Sequence, residues 1–170
     1  MAFVGELRGG TPLTVESFTV AMRDLNERHP KVKTIVEKSF NPLLGKIQLT
    51  GETEDRYFFT IQYLLGDEER PEQVMLSMIM RTNSKLSDDA LPMMTMRMHR
   101  DIPGTETFEL YPLLQGQYRS IILGCSVELD ESVTVEDMDT LFAGLCKAAP
   151  KVNSQFFQGA WVHMRDRKPL

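Results

Sequence analysis

Apolar positions recur at two periods along the chain, helical near both ends and alternating through the middle. Val15, Phe18, Met22 and Leu25 repeat at three and four residues, which is one face of a helix. Thr14 is a good N-cap for it, and Leu13 can staple onto Phe18. Pro30 closes that helix and suits the first turn of a second, shorter one, because its missing N–H costs nothing there. Val32, Ile35, Val36 and Phe40 supply an apolar stripe for the second helix, which Asn41-Pro42 would end.

The period then changes to two. Ile47 and Leu49 begin a short strand, and Gly51 to Asp55 reads as a polar turn. Tyr57, Phe59, Ile61, Tyr63 and Leu65 alternate with Phe58, Thr60, Gln62 and Leu64 in a second strand. Beyond the acidic loop Gly66 to Pro71, Val74, Leu76, Met78 and Met80 form one face of a third, with Met75, Ser77, Ile79 and Arg81 on the other. Residues 91–102 fit two patterns. Met94, Met96 and Met98 alternate with Thr95, Arg97 and His99 as in a strand, whereas Leu91, Met94, Met98 and Ile102 have helical spacing. Methionine is a good helix former without a β-branch, which favours the helix but leaves the strand open.

Phe108 and Leu110 mark another strand, Gln115-Gly116-Gln117 a hairpin connection, and Tyr118 to Leu129 the clearest strand of all. Gly124 in that strand marks a close approach by a neighbour. Thr134 and Asp137 form a capping box for a helix buried through Met138, Leu141, Phe142, Leu145 and Ala149. Pro150 breaks or kinks it, and Val152, Phe156, Phe157, Ala160 and Trp161 predict a further helix. The expected fold is α+β: one domain over 1–170, with an antiparallel meander of about five strands packed by N-terminal and C-terminal helices. Its parts are a lead-in (1–13), N-terminal helices (14–42), the sheet region (46–129) and C-terminal helices (134–164).

Charge narrows the function. A formal charge of -5 opposes nucleic-acid binding, which needs a basic field. Arg165, Arg167 and Lys168 are the densest positive run, interrupted by Asp166 near the C-terminus, and read as a solvated tail. No apolar run is long enough to cross a bilayer, and Met1 to Glu6 lack the pattern of a secretory signal, so no membrane partner and a cytoplasmic location are expected. Cys125 and Cys146 match no disulfide or metal spacing and read as small core residues.

His29, His99 and His163 lie at no metal-type spacing from one another or from cysteine. No phosphate-binding glycine loop, nucleophile elbow or dinucleotide fingerprint occurs. The acidic pairs fall in turns and helix starts, where solvation and capping explain them. No catalytic, metal or cofactor residue is therefore assigned.

The methionines stand out. Seven of the 11 lie at positions 75, 78, 80, 93, 94, 96 and 98. Core filling explains about half, yet Met75 and Ile79 share the face opposite Met78 and Met80, and Met93 and Met96 fit no inner stripe. Flexible thioethers in excess of a core suit the binding of an apolar segment of another protein. Met75, Ile79, Met93 and Met96 are the candidate partner-binding residues.

The stretch Tyr118-Arg-Ser-Ile-Ile-Leu-Gly-Cys-Ser-Val-Glu-Leu-Asp130, then Val133-Thr-Val-Glu-Asp-Met-Asp-Thr-Leu141 with Phe156-Phe157 beyond, resembles the end of the type III secretion chaperone-like superfamily. That superfamily includes CesT-type effector chaperones and YbjN-type bacterial regulators. His99 to Phe108 is similar to its helix-to-strand turn, and the likeness spans about residues 47–150. The chain departs from the pattern at 30–42 and 151–170. The resemblance implies a homodimer without cofactor that binds extended protein segments, and a helical 91–102 at the dimer interface. The leading expectation is thus a non-enzymatic chaperone or adaptor. Its rivals are a stable subunit of a larger assembly, and a small-molecule or enzymatic site between sheet and helices involving His99, Arg97 or Tyr63.

Overall fold

The computed structural model describes residues 10–41, 45–82, 90–115 and 118–157. Six strands form one antiparallel sheet: β1 (Val32–Asn41), β2 (Lys46–Thr53), β3 (Phe58–Leu64), β4 (Gln73–Thr82), β5 (Glu109–Gln115) and β6 (Tyr118–Glu128). Their lateral order is β1-β2-β3-β4-β6-β5. The first four are a meander. The chain then passes beyond the place of β6, lays down β5 at the edge, and returns to pair β6 with β4. Among the described residues four α-helices accompany the sheet: α1 (Val15–Arg23), α2 (Leu25–Arg28), α3 (Ala90–Asp101) and α4 (Val135–Val152). The chain is α+β as expected, with six strands rather than about five.

The second N-terminal helix expected over 30–42 is instead the strand β1. Val32, Thr34, Ile35 and Val36 are β-branched and stiff at χ1, which favours a pleated strand. The misleading helical spacing has a geometric origin. Register shifts between Val32/Thr34 and Ile35/Glu37 insert extra residues, so Val32 and Ile35, three apart, both pair with core-facing positions of β2.

Residues 91–102 resolve as helix, with Pro92 in the first turn of α3. Helix α4 runs through Pro150 to Val152 and passes into a π-helix, Asn153–Phe157. Ala160, Trp161, His163 and the basic run at 165–168 lie outside the described residues, as do Gly116 and Gln117 of the hairpin connection.

One side of the sheet carries the core. Leu49, Phe59, Ile61, Leu76, Met78, Ile121 and Leu123 are each at most 1 % exposed. The helices cover this side. Phe18 of α1 packs on Tyr63 with ring centroids 5.4 Å apart, and Phe142 of α4 packs on Phe59 at 5.0 Å. Both helices begin with capping boxes, at Thr14/Ser17 and Thr134/Asp137. The lead-in ties the two together, through Leu13 N–H to the Val133 carbonyl at 3.0 Å and Val135 N–H to that of Thr11 at 2.8 Å.

Helix α3 guards the β5 edge. Leu110 N–H, which points away from β6, donates to Thr95 Oγ1 at 3.2 Å. His99 Nε2 lies 2.7 Å from the Phe108 carbonyl and donates to it. Two residues on from Leu110, at the next outward position, Pro112 has no N–H to offer.

Candidate functional site

The opposite side of the sheet is a second surface made by the same strands, and the period of two decides its composition. Cross-strand register arranges its side chains in rows perpendicular to the strands. One row is Gln48, Gln62, Met75 and Ser126. The next is Thr50, Thr60, Ser77, Gly124 and, at the β5 end, Glu109, and the third is Glu52, Phe58, Ile79, Ile122 and Tyr111. Short side chains in the middle row, between longer ones, make a trough of about 460 Å³. Thr60, Ser77 and Gly124 form its floor. Gln48, Gln62 and Met75 form one bank, and Ile79, Ile122 and Tyr111 the other.

Gly124 deepens the floor for a steric reason. A Cβ there would lie 2.4 Å from the Leu76 carbonyl oxygen and 3.2 Å from Ser77 Cα, so only glycine lets β4 and β6 approach this closely. On the polar bank, Gln62 Nε2 donates to Gln48 Oε1 at 2.8 Å. That bond leaves the Gln62 carbonyl oxygen and the Gln48 amide hydrogens available, among the described residues, to a main chain laid in the trough.

The side chains that line the trough are uncharged, and Glu109 flanks its β5 end. Burial, reinforced by the hydrogen bond and charge of Glu109, pushes the Tyr111 phenol up to about 12. Burial pushes the Cys125 thiol, beneath the floor, up to about 11. Both groups are neutral at physiological pH, and neither is activated as a nucleophile.

Of the sequence candidates, Met75 and Ile79 face each other across this trough, both half-buried. Met93 and Met96 do not join them. They project from α3 on the helix layer and are 61 % and 71 % exposed. The other methionines of the run divide between a buried set, Met78, Met80 and Met98, and the half-buried Met94.

The residues weighed for a small-molecule site do not converge. Tyr63 is buried on β3, where its hydroxyl donates to Glu72 Oε1 at 2.8 Å. His99 binds the main chain beside β5, three strand positions away, and Arg97 is exposed on α3.

Comparison with protein-family models, with curated proteins and with solved structures finds no match. The site therefore rests on its own geometry.

Sequence reasoning missed one polar cluster. His29 is 8 % exposed, packs edge-on against Phe142 at 4.9 Å, and bonds Asp139 through Nε2 at 3.0 Å. Arg28 grips the same carboxylate through Nη2 at 3.0 Å and Nε at 3.2 Å, and also pairs with Asp24. Burial alone would raise the Asp139 carboxyl, but the hydrogen bonds from His29 and Arg28 and their charge hold it below the ordinary range. The cluster clamps α2 to α4. Its members lie 110 and 111 residues apart, and adjacency of Arg28 and His29 is the one local signal of it.

Proposed function

We propose that this chain is a non-catalytic chaperone or adaptor whose open sheet face receives an extended, apolar segment of a partner protein. The observation that carries the reading is the neutral trough, with thioether and aliphatic side chains facing each other across hydroxyl-bearing threonine and serine. Met75 and the apolar bank opposite would take alternate side chains of the segment, and the glutamine amides would take its main chain. Five strands at ~4.8 Å spacing span roughly 19 Å, room for about six extended residues. The resemblance to the type III secretion chaperone-like superfamily points the same way, and adds self-association through α3, on which Met93 and Met96 are exposed.

A photo-crosslinking side chain at position 75 or 79, compared with one at the exposed Val20 of α1, tests the trough. Crosslinks to a discrete protein partner are expected from positions 75 and 79 and not from 20, and Met75→Glu should abolish those from position 79. Equal or no crosslinking at all three positions would remove the trough from the reading. Light scattering of Met93→Gln/Met96→Gln tests self-association: the mass should fall from dimer to monomer.

A further inference from the structure

The turn between α2 and β1 and the second half of α4 enclose a cleft of about 590 Å³ on the helix layer, remote from the trough. Pro30, Ala143 and Pro150 give it apolar walls. Lys31, Lys147 and Lys151 line it from two elements, with one carboxylate, Asp55. Arg28 also reaches the cleft, where it is paired with two carboxylates, Asp139 and Asp24. Lys31 Nζ lies 3.8 Å from Asp55 Oδ2, while Lys147 and Lys151 make no ion pair among the described residues.

Lys31, Lys147, Lys151 and Arg28 against Asp55, Asp139 and Asp24 leave one positive charge, in a chain whose formal total is -5. The carbonyl end of α4 explains Lys151, which lies in the last turn. It does not explain Lys147, a turn earlier, or Lys31 on another element. Lysines lining one cleft suit phosphate oxygens as point charges, and a cleft of this size suits a small molecule. Cys146 lines the same cleft, but burial pushes its thiol up to about 12, so it serves as wall rather than nucleophile.

We propose that this cleft binds a small phosphomonoester with an apolar body, the dianionic phosphate held by Lys31, Lys147 and Lys151. The inference is independent of the trough.

Calorimetric titration of the full chain with phenyl phosphate, inorganic phosphate and benzenesulfonate at fixed ionic strength tests it. Phenyl phosphate should bind saturably and more tightly than inorganic phosphate, which lacks the apolar body, or benzenesulfonate, which has a single charge. Lys147→Gln/Lys151→Gln should weaken phenyl phosphate by about tenfold or more, a loss of ~1.4 kcal/mol or more. Asp55→Asn, which removes the opposing charge, should tighten it several-fold. Absence of saturable phenyl phosphate binding would overturn the proposal. So would equal affinity for the three probes, or affinity unchanged in both variants.

Discussion

Met75 and Leu76 are neighbours on β4, yet they meet different surroundings. Leu76 stands in a cross-strand row of Leu49, Ile61 and Cys125, all buried beneath the helix layer. Met75 stands among Gln48, Gln62 and Ser126 on a face that none of the described helices covers. A single residue of register separates the surface that holds the fold from the surface whose shape the fold does not require. The difference teaches that thioethers in this chain are not one class. Met78 belongs to stability and Met75 to whatever meets the open face.

The largest expected effect tests that division directly. Leu76→Ala should lower unfolding free energy by about 2–5 kcal/mol, through lost burial and a residual cavity. Met75→Ala should cost about 1 kcal/mol or less. Denaturant midpoints of the two variants measure this, and comparable losses would erase the distinction between the faces.

Gly124→Ala comes next, because it disturbs both faces through their shared backbone. Its new methyl would press on the Leu76 carbonyl, and a loss of about 1–3 kcal/mol is expected in thermal unfolding. No loss would mean that β4 and β6 part easily and that the trough floor is soft.

The third test moves to the helix layer. Asp139→Asn should cost about 1–3 kcal/mol at neutral pH by weakening charge-assisted hydrogen bonds to Arg28 and His29. The folded carboxyl titrates below its unfolded value, so its contribution is complete above the ordinary carboxylate range and disappears as pH falls through the folded value. The gap between wild type and variant should therefore be full at pH 7 and close on acidification below pH ~4. A gap independent of pH would show that Asp139 acts through shape rather than charge.

Alternation alone located β2, β3, β4 and β6 and assigned Leu76 and Met75 to opposite faces, because an antiparallel sheet covered on one side prints its burial onto the chain. It failed at β1, where bulges stretch the repeat to three and imitate a helix. It also could not see that β6 enters beside β4, since lateral order depends on how α3 carries the chain and not on any local pattern. For the candidate site, Met75 and Ile79 were legible as surplus to the core. The floor was not, because Thr60, Ser77 and Gly124 line up through pairing between three strands. Met93 and Met96 were legible as outward-facing, but proximity to the trough is a tertiary fact, and they lack it. The Arg28–His29–Asp139 cluster and the lysine cleft depend on contacts across more than 100 residues, which no periodicity encodes.

The two ends of the sheet also differ. At β5, an incoming strand would meet α3, a donor already engaged at Leu110, and a proline where the next donor would stand. Among the described residues, strand-by-strand extension is thus confined to the β1 end. Any edge-to-edge union of two copies through β1 buries both permissive ends at once, so that it halts at a pair and cannot polymerise into a fibre.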